Sequence, residues 1–395
     1  MTVDFKPFDL DGDLTVRQFK AFLKYVAQAG ASDVLVQSGD YAWVEIHGRQ
    51  VRASTSTLKH GLLGPLIDGL WGSDVIVAVG SGKGVDRSLQ LSGIEDGLER
   101  GQVMRFRVNI VQAVIARLQK GYSITMRTIP QDIPDIHKQG VDEDLLAEMY
   151  PAKGLVLVCG PTGSGKSTFL AGVYANAGVT MPDRKVITCE DPVEFVLGGQ
   201  HWKGPQPAQS EIGRDFMSFA ESLRHGMRRK PSIVGIGEIR DLETIDAAIE
   251  VGLTGHLCLA TMHTDSVPET INRAIQIYPP EQQAAVASRL LGAIRVIVVQ
   301  RLLKTTDGKR TAIREYLIFD RELREELSAL PYDQWARHMR RLLEAKNATL
   351  DDKAWTLLRA GRISEEEFVE LSGAKALRTR MAGAHSADDG GGVSP

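Results

Sequence analysis

The chain has 395 residues, of which 43% are hydrophobic and 25% charged, with 47 Lys and Arg set against 50 Asp and Glu. That composition excludes a fibrous or fully disordered chain, predicts two or three domains, and gives no global attraction to nucleic acid or anionic lipid. Three cysteines without CxxC spacing exclude a disulfide framework and a thiolate metal site.

The N-terminal MTVDFKPFDLDGDL has neither a basic n-region nor an apolar stretch, so no signal peptide is expected. Thr15 caps the first helix with Gln18 at its third position, and Val16, Phe19, Phe22, Leu23 and Val26 follow helical spacing up to Gly30. SDVLVQSG, YAWVEIHG and RQVRAST alternate like short strands. GQVMRFRVNIVQAV and GYSITMRTI read as two more strands of the same sheet. TIPQDIPDIHKQG carries two prolines and no period, and reads as a linker. The expected division is an α+β domain over 1–127, a linker over 128–140, an α/β domain over 141–372, and a disordered tail over 373–395.

Beyond the linker, strand and helix alternate. LVLVCG, KVITCE, SIVGIGE and HLCLATMH are strands. STFLAGVYANAG, closed by Gly178, DFMSFAESLRHGMRR and LETIDAAIEVG are helices. Such alternation predicts βαβ units, a mostly parallel sheet, and ligands at the C-terminal ends of the strands. Ser266 with Glu269 and Ser364 with Glu367 have capping-box spacing. IVVQRLL and TAIREYLIF flank Asp307-Gly308 as an antiparallel hairpin. Cys159, Cys189 and Cys258 lie in or beside apolar runs and read as buried free thiols. The longest apolar runs, near Leu155 and Ile294, fall far short of a membrane span, so a soluble chain is expected.

The strongest chemical signal is GPTGSGKST: Gly160, Pro161, Thr162, Gly163, Ser164, Gly165, Lys166, Ser167 and Thr168. It fits G-x-x-x-x-G-K-[ST] between a buried strand and a helix. The glycines let backbone amides fold around an anion, and the helix aims its positive end at the same place. Lys166 is expected to reach the β- and γ-phosphates of ATP, and the Ser167 hydroxyl to ligate Mg2+. Glu190, Asp191 and Glu194 follow the next strand. Mutually repelling carboxylates there suit a Mg2+–phosphate site, where one of them orients or deprotonates water; a solvated acidic loop is the alternative. Glu238 follows an apolar strand in the position of a carboxylate that holds the metal's water shell. His263 ends its strand near the expected γ-phosphate and reads as a sensor, whereas His256 reads as a core histidine.

Arg105, Arg107, Arg117 and Arg127 form one arginine group. Arg214, Arg224, Arg228 and Arg229 form another around the helix before Glu238. Guanidinium forks suit phosphates, although any one of them alone reads as a surface ion-pair partner.

Taken in order, GPTGSGKST, VITCEDPVEF, GEIRDLETI and GHLCLATMHTDS resemble the Walker A, Asp box, Walker B and His box of secretion-superfamily ATPases, which serve type II and type IV secretion and type IV pili. RFRVNI and MRTIP resemble the segment that joins the N-terminal domain of that family to its motor core. The resemblance spans about Met104 to Glu315. It implies a RecA-like P-loop ATPase core preceded by a smaller PAS-like α+β domain. GEIRDLETI, with no tetracysteine module and no long N-terminal extension, resembles PilT-like members. IVVQRLL and GKRTAIREYLIF are similar to the DotB-like branch and to the TraJ proteins of conjugative plasmids. Lys230–Ser232 replaces an acidic DPD common in relatives, and no AIRNLIRE-type segment is visible. Both departures favour type IV secretion or conjugation over pilus retraction.

The resemblance implies a homohexamer with ATP bound between two domains. Arg105, Arg107 and Arg127, from the same or a neighbouring subunit, would serve the phosphates, and Ile129-Pro130 would be the hinge of a domain rotation. It implies a cytoplasmic motor, peripheral at the inner membrane, recruited by integral components of a secretion or conjugation system. A pilus retraction ATPase and a nucleotide-gated assembly scaffold are the alternatives. A DNA translocase is disfavoured by the acidic balance, so direct nucleic-acid binding is not expected.

Overall fold

A computed structural model describes residues 5–388 apart from 11–13, 47–48, 100–101, 116 and 130–131. The chain divides into two compact units, Met1–Asp132 and Ile133–Pro395.

Unit 1 opens with α1 (Val16–Gln28), whose N-terminus carries the complete capping box: Thr15 accepts from Gln18 N, and Gln18 Oε1 accepts from Thr15 N. Strands β1 (Asp33–Gln37), β2 (Trp43–Ile46) and β3 (Arg49–Arg52) follow, then α2 (His60–Trp71), α3 (Ser73–Gly80), β4 (Val85–Ser92), β5 (Val103–Ile115) and β6 (Leu118–Ile129). The six strands make one antiparallel sheet ordered β3-β2-β1-β6-β5-β4. Phe19, Phe22, Leu23 and Val26 of α1 join Val34, Val36, Phe106, Val108 and Ile110 in its core. The linker expected from residue 128 starts later. Thr128 still pairs with Phe106 and Ile129 with Arg105, so β6 keeps both residues. Pro130 of the expected hinge lies outside the described residues.

Unit 2 runs α4 (Glu143–Glu148), β7 (Gly154–Cys159), α5 (Lys166–Thr180), β8 (Val186–Glu190), β9 (Ala208–Glu211), α6 (Phe219–Met227), β10 (Ile233–Ile236), α7 (Leu242–Leu253), β11 (Leu257–Met262), α8 (Val267–Gln276), α9 (Pro280–Ala293), β12 (Ile294–Lys304) and β13 (Arg310–Ile318). Its seven strands are ordered β13-β12-β7-β11-β10-β8-β9, and only the β12–β13 hairpin is antiparallel. Central strands read as continuous apolar runs because both faces are covered. In β7, Leu155, Leu157 and Cys159 face one core, and Val156 and Val158 the other. The three thiols are free and buried, and burial pushes Cys159 and Cys189 up to about 11.

Gly178 does not close α5. The helix continues to Thr180, and Gly178 lets the Trp202 indole approach, since a Cβ there would come within 2.3 Å of the ring. The two later capping boxes are half formed. Glu269 turns to Asp265 N and Glu367 to Lys304 N instead of their cap residues.

Helices α10 (Arg321–Ser328), α11 (Trp335–Ala345), α12 (Leu350–Arg359), α13 (Glu365–Ser372) and α14 (Ala374–Asp388) complete the chain. The disordered tail expected from residue 373 is corrected by α14. Its Ala376 and Leu377 pack on the core, and Arg380 pairs with Asp352 at 2.6 Å and lies over Trp355. Residues 389–395 lie outside the described set.

Candidate functional site

Register places the ends of β7, β8, β10 and β11 at one edge of the sheet. Cys159 lies opposite Met262, and Ile236 opposite both Ala260 and Cys189. The loops that follow carry Gly160–Gly165, Glu190–Glu194, Gly237–Arg240 and His263–Ser266, as a parallel sheet requires of a ligand edge.

The first loop is shaped by its glycines. Gly160, Gly163 and Gly165 have φ of +138°, +79° and +83°, values that side chains rarely adopt. A Cβ on Gly160 would come within 2.3 Å of Gln300 O and 2.6 Å of Ser164 Oγ. Gln300, on β12, also donates its Nε2 to Ser164 O at 2.6 Å. A strand distant in sequence therefore fixes the loop. Lys166, the first residue of α5, donates Nζ to Gly160 O and Pro161 O, each at 2.9 Å. Burial lowers its pKa, and Glu238, Cys159 and Glu194 act the other way. Ser167 is exposed and lines a small cavity with Glu190, Gln209 and Thr261.

A chain of polar contacts leaves Lys166. Its Nζ lies 3.5 Å from His263 Nδ1, and His263 Nε2 lies 2.8 Å from Glu238 Oε1. Glu238 Oε2 pairs with Arg240 at 2.6 Å, and Arg240 reaches Asp191 at 3.6 Å. Arg273 Nη1 donates to His263 O at 3.0 Å. Glu190 is held separately. Its Oε1 accepts from Thr188 Oγ1 at 2.5 Å and from Gln209 Nε2 at 3.0 Å.

Unit 2 thus brings together Lys166, Ser167, Glu190, Glu238 and His263. It puts Arg228 and Arg229 elsewhere: they follow the C-terminus of α6, at the start of β10 and the far edge of the sheet, so these two members of the second arginine group lie away from the phosphate loop. Arg214 pairs with Asp215 at 2.7 Å and lies 3.6 Å from Glu211. His256 precedes β11, also at the far edge. In unit 1, Arg107 and Arg127 are cross-strand partners, and Arg105 sits two residues before Arg107 on the same face. Arg105 is buried, Arg107 is exposed, and Arg127 pairs with Asp33 at 2.8 Å. Gln300, Arg240, Thr188 and Gln209 were not singled out from sequence. Arg240, two residues past Glu238, and Thr188, two residues before Glu190 on the same strand, had a positional signal; Gln209 and Gln300 meet their partners only through sheet pairing.

Among the described residues no group of three or more His, Cys, Asp and Glu side chains could hold a metal by itself. One hydroxyl and nearby carboxylates beside a phosphate-sized loop fit Mg2+, which takes most of its ligands from phosphate and water.

A family model described as Type II/IV secretion system protein matches residues 96–367. A type IV pilus retraction ATPase, PilT, of Pseudomonas aeruginosa is 33% identical over 296 residues, 75% of this chain and 81% of that protein. The solved structure of the Legionella pneumophila ATPase DotB superposes with a TM-score of 0.77 at 31% identity, covering 93% of this chain and all of that one. A solved pilus retraction motor PilT with bound ADP gives 0.75 at 29% identity, covering 89% of this chain and 96% of that one.

Proposed function

Because the chain belongs to the type II/IV secretion system protein family, we propose that it is a Mg2+-dependent ATP hydrolase, a homohexameric motor that powers a type IV secretion or conjugative transfer apparatus. The observation that carries the reading is the contact chain from Lys166 through His263 to Glu238 and Arg240, which links the phosphate loop to two acidic loops.

In this reading Lys166 exchanges the carbonyls of Gly160 and Pro161 for phosphate oxygens. When bound, Mg2+ would neutralise charge on the phosphates; Ser167 would be its protein ligand, and Glu238 would hold its water shell. Glu190, fixed by Thr188 and Gln209, accepts the proton of the attacking water. His263, hydrogen-bonded to Glu238, reports on the occupied phosphate site through Lys166. The remaining residues of the loop, from Gly160 to Thr168, supply backbone amides to the phosphates.

No helix among the described residues is long and apolar enough to cross a membrane. A cytoplasmic protein recruited to the inner face of the membrane by integral partners is the placement we favour. The likeness to DotB across its whole length supports the secretion reading. A retraction motor is the second reading, supported by the PilT relative. ATPase assays on fractions of defined native mass test the enzyme: activity confined to a hexamer is expected, and a chain without turnover overturns it. Deletion in the source organism separates the two readings, since loss of secretion or transfer with twitching intact supports the first, and the converse the second.

A further inference from the structure

The strands that carry the candidate site at one end carry cations at the other. Lys153 immediately precedes β7, Arg184 and Lys185 precede β8, and Arg228, Arg229 and Lys230 fill the turn between α6 and β10. Parallel register puts these strand starts on one edge, with Gly154 opposite Leu257 and both Val186 and Leu257 opposite Ile233. The three loops are tied together. Lys185 Nζ donates to Arg229 O at 2.8 Å, Ser232 N to Lys185 O at 2.8 Å, and Arg184 Nη1 to Pro151 O at 3.1 Å. Lys153, Arg228, Arg229 and Lys230 are exposed, and Arg184 and Lys185 half-buried.

The three loops, 151–153, 181–185 and 228–232, hold these six cations and one carboxylate, Asp183. Among the described residues none of the six pairs with a carboxylate, whereas Arg214, Arg240, Arg289 and Arg301 of the same unit all do. The C-terminal dipole of α6 favours Arg228 and Arg229, but Lys153, Arg184 and Lys185 lie at no helix end. On a chain with a net charge of −3 this is a local excess, and six like charges on one edge repel.

We propose that this rim is the docking surface for an acidic segment of a partner protein. Half of its cations are arginines, whose forks match carboxylates. None of the exposed large hydrophobic side chains lies in the three loops, so no apolar wedge accompanies the charge into a lipid interface. No exposed aromatic ring is present there to stack a base. The surface lies across the sheet from the phosphate loop, so an occupant leaves that site open. β8 and β10, which start at the rim, end at Glu190 and just before Glu238, so a load on the rim acts on the strands that carry those carboxylates. This inference is independent of the motor reading, because binding is measured without turnover.

The test is fluorescence anisotropy of a labelled oligoglutamate peptide with the full chain at low and moderate salt. Oligoglutamine, vesicles of phosphatidylcholine and phosphatidylglycerol, and a short DNA duplex are the competing probes. Oligoglutamate should bind in preference to the others, with affinity falling as salt rises. The Arg228→Glu/Arg229→Glu variant should bind at least ~10-fold more weakly, and Lys59→Glu/Lys83→Glu in unit 1 should bind as wild type. The neutral Arg228→Gln/Arg229→Gln variant, expected to weaken binding less, serves if charge reversal impairs folding. Absence of oligoglutamate binding, preference for vesicles or duplex, or binding indifferent to both rim variants would overturn the proposal.

Discussion

Lys166 and His263 meet at 3.5 Å between Nζ and Nδ1, although 97 residues separate them. The opposite ring nitrogen of His263 lies 2.8 Å from Glu238 Oε1. An ammonium facing Nδ1 favours the tautomer with its proton on Nε2, and that proton is what Glu238 accepts. The pairing thus sets the hydrogen-bond polarity of the site from the phosphate loop outward.

Lys166→Ala removes the charge on which this arrangement depends. Turnover should fall by at least about 100-fold, the scale of losing a preorganised transition-state charge. Stability should barely move, because the lost bonds to Gly160 O and Pro161 O are offset by relief of a partly buried ammonium. Steady-state ATPase and thermal midpoint measure the two. Activity within a few-fold of wild type would remove Lys166 from the site.

The two carboxylates should separate by phenotype. Glu190→Gln keeps an oxygen for Thr188 and Gln209 but cannot take a proton, so ATP should still bind while turnover drops about 100-fold or more. Glu238→Gln breaks the charge pair with Arg240 and should also raise the Mg2+ concentration needed for half-maximal rate. Identical Mg2+ titrations and rates in both variants would refute the division of roles.

What was legible in the sequence is what local chemistry dictates. The Gly160–Thr168 run states its own loop, and the unbroken apolar run of β7 states that both its faces are covered. Thr15 and Gln18 announce the first helix end. What was hidden depends on contacts between distant segments. Gln300 looks like an ordinary hairpin residue until β12 pairs beside β7. Gly178 looks like a helix terminator until Trp202 packs on it. Arg228 and Arg229, close in sequence to Glu238, are carried to the opposite edge by the length of β10. The composition of 374–388 hides the helix α14, which forms because Ala376, Leu377 and Arg380 find partners on α12 and the core.

Gln300→Ala should weaken nucleotide binding without touching any nucleotide. Its amide holds Ser164 O at 2.6 Å, and loss leaves a buried carbonyl unsatisfied, at a cost of about 1–3 kcal/mol. Part of that cost falls on the loop conformation, so Kd for ATP should rise about 10-fold, with a smaller change in kcat. Isothermal titration read beside steady-state kinetics checks it. An unchanged Kd would mean that the glycines alone hold the loop.

Asp352 caps α12 through Thr349 and pairs with Arg380 at 2.6 Å, while Arg380 lies over Trp355. Burial disfavours the charged carboxyl, but the Thr349 and Arg380 hydrogen bonds outweigh it and hold its pKa below the usual value. A carboxyl depressed in the folded state contributes stability that is full above its unfolded pKa and is lost as pH falls through the folded one. Arg380→Ala should therefore lower the thermal midpoint by about 2–4 °C near neutral pH, a loss on the order of 1 kcal/mol from ion pair and ring contact together. The gap between wild type and variant should hold at higher pH and narrow as pH falls below the ordinary carboxyl value of about 4, as Asp352 takes up its proton and the ion pair with Arg380 is lost. Thermal melts across that range decide it. A gap constant with pH would leave only the contact with Trp355, and no gap at all would detach α14 from the stability of the domain.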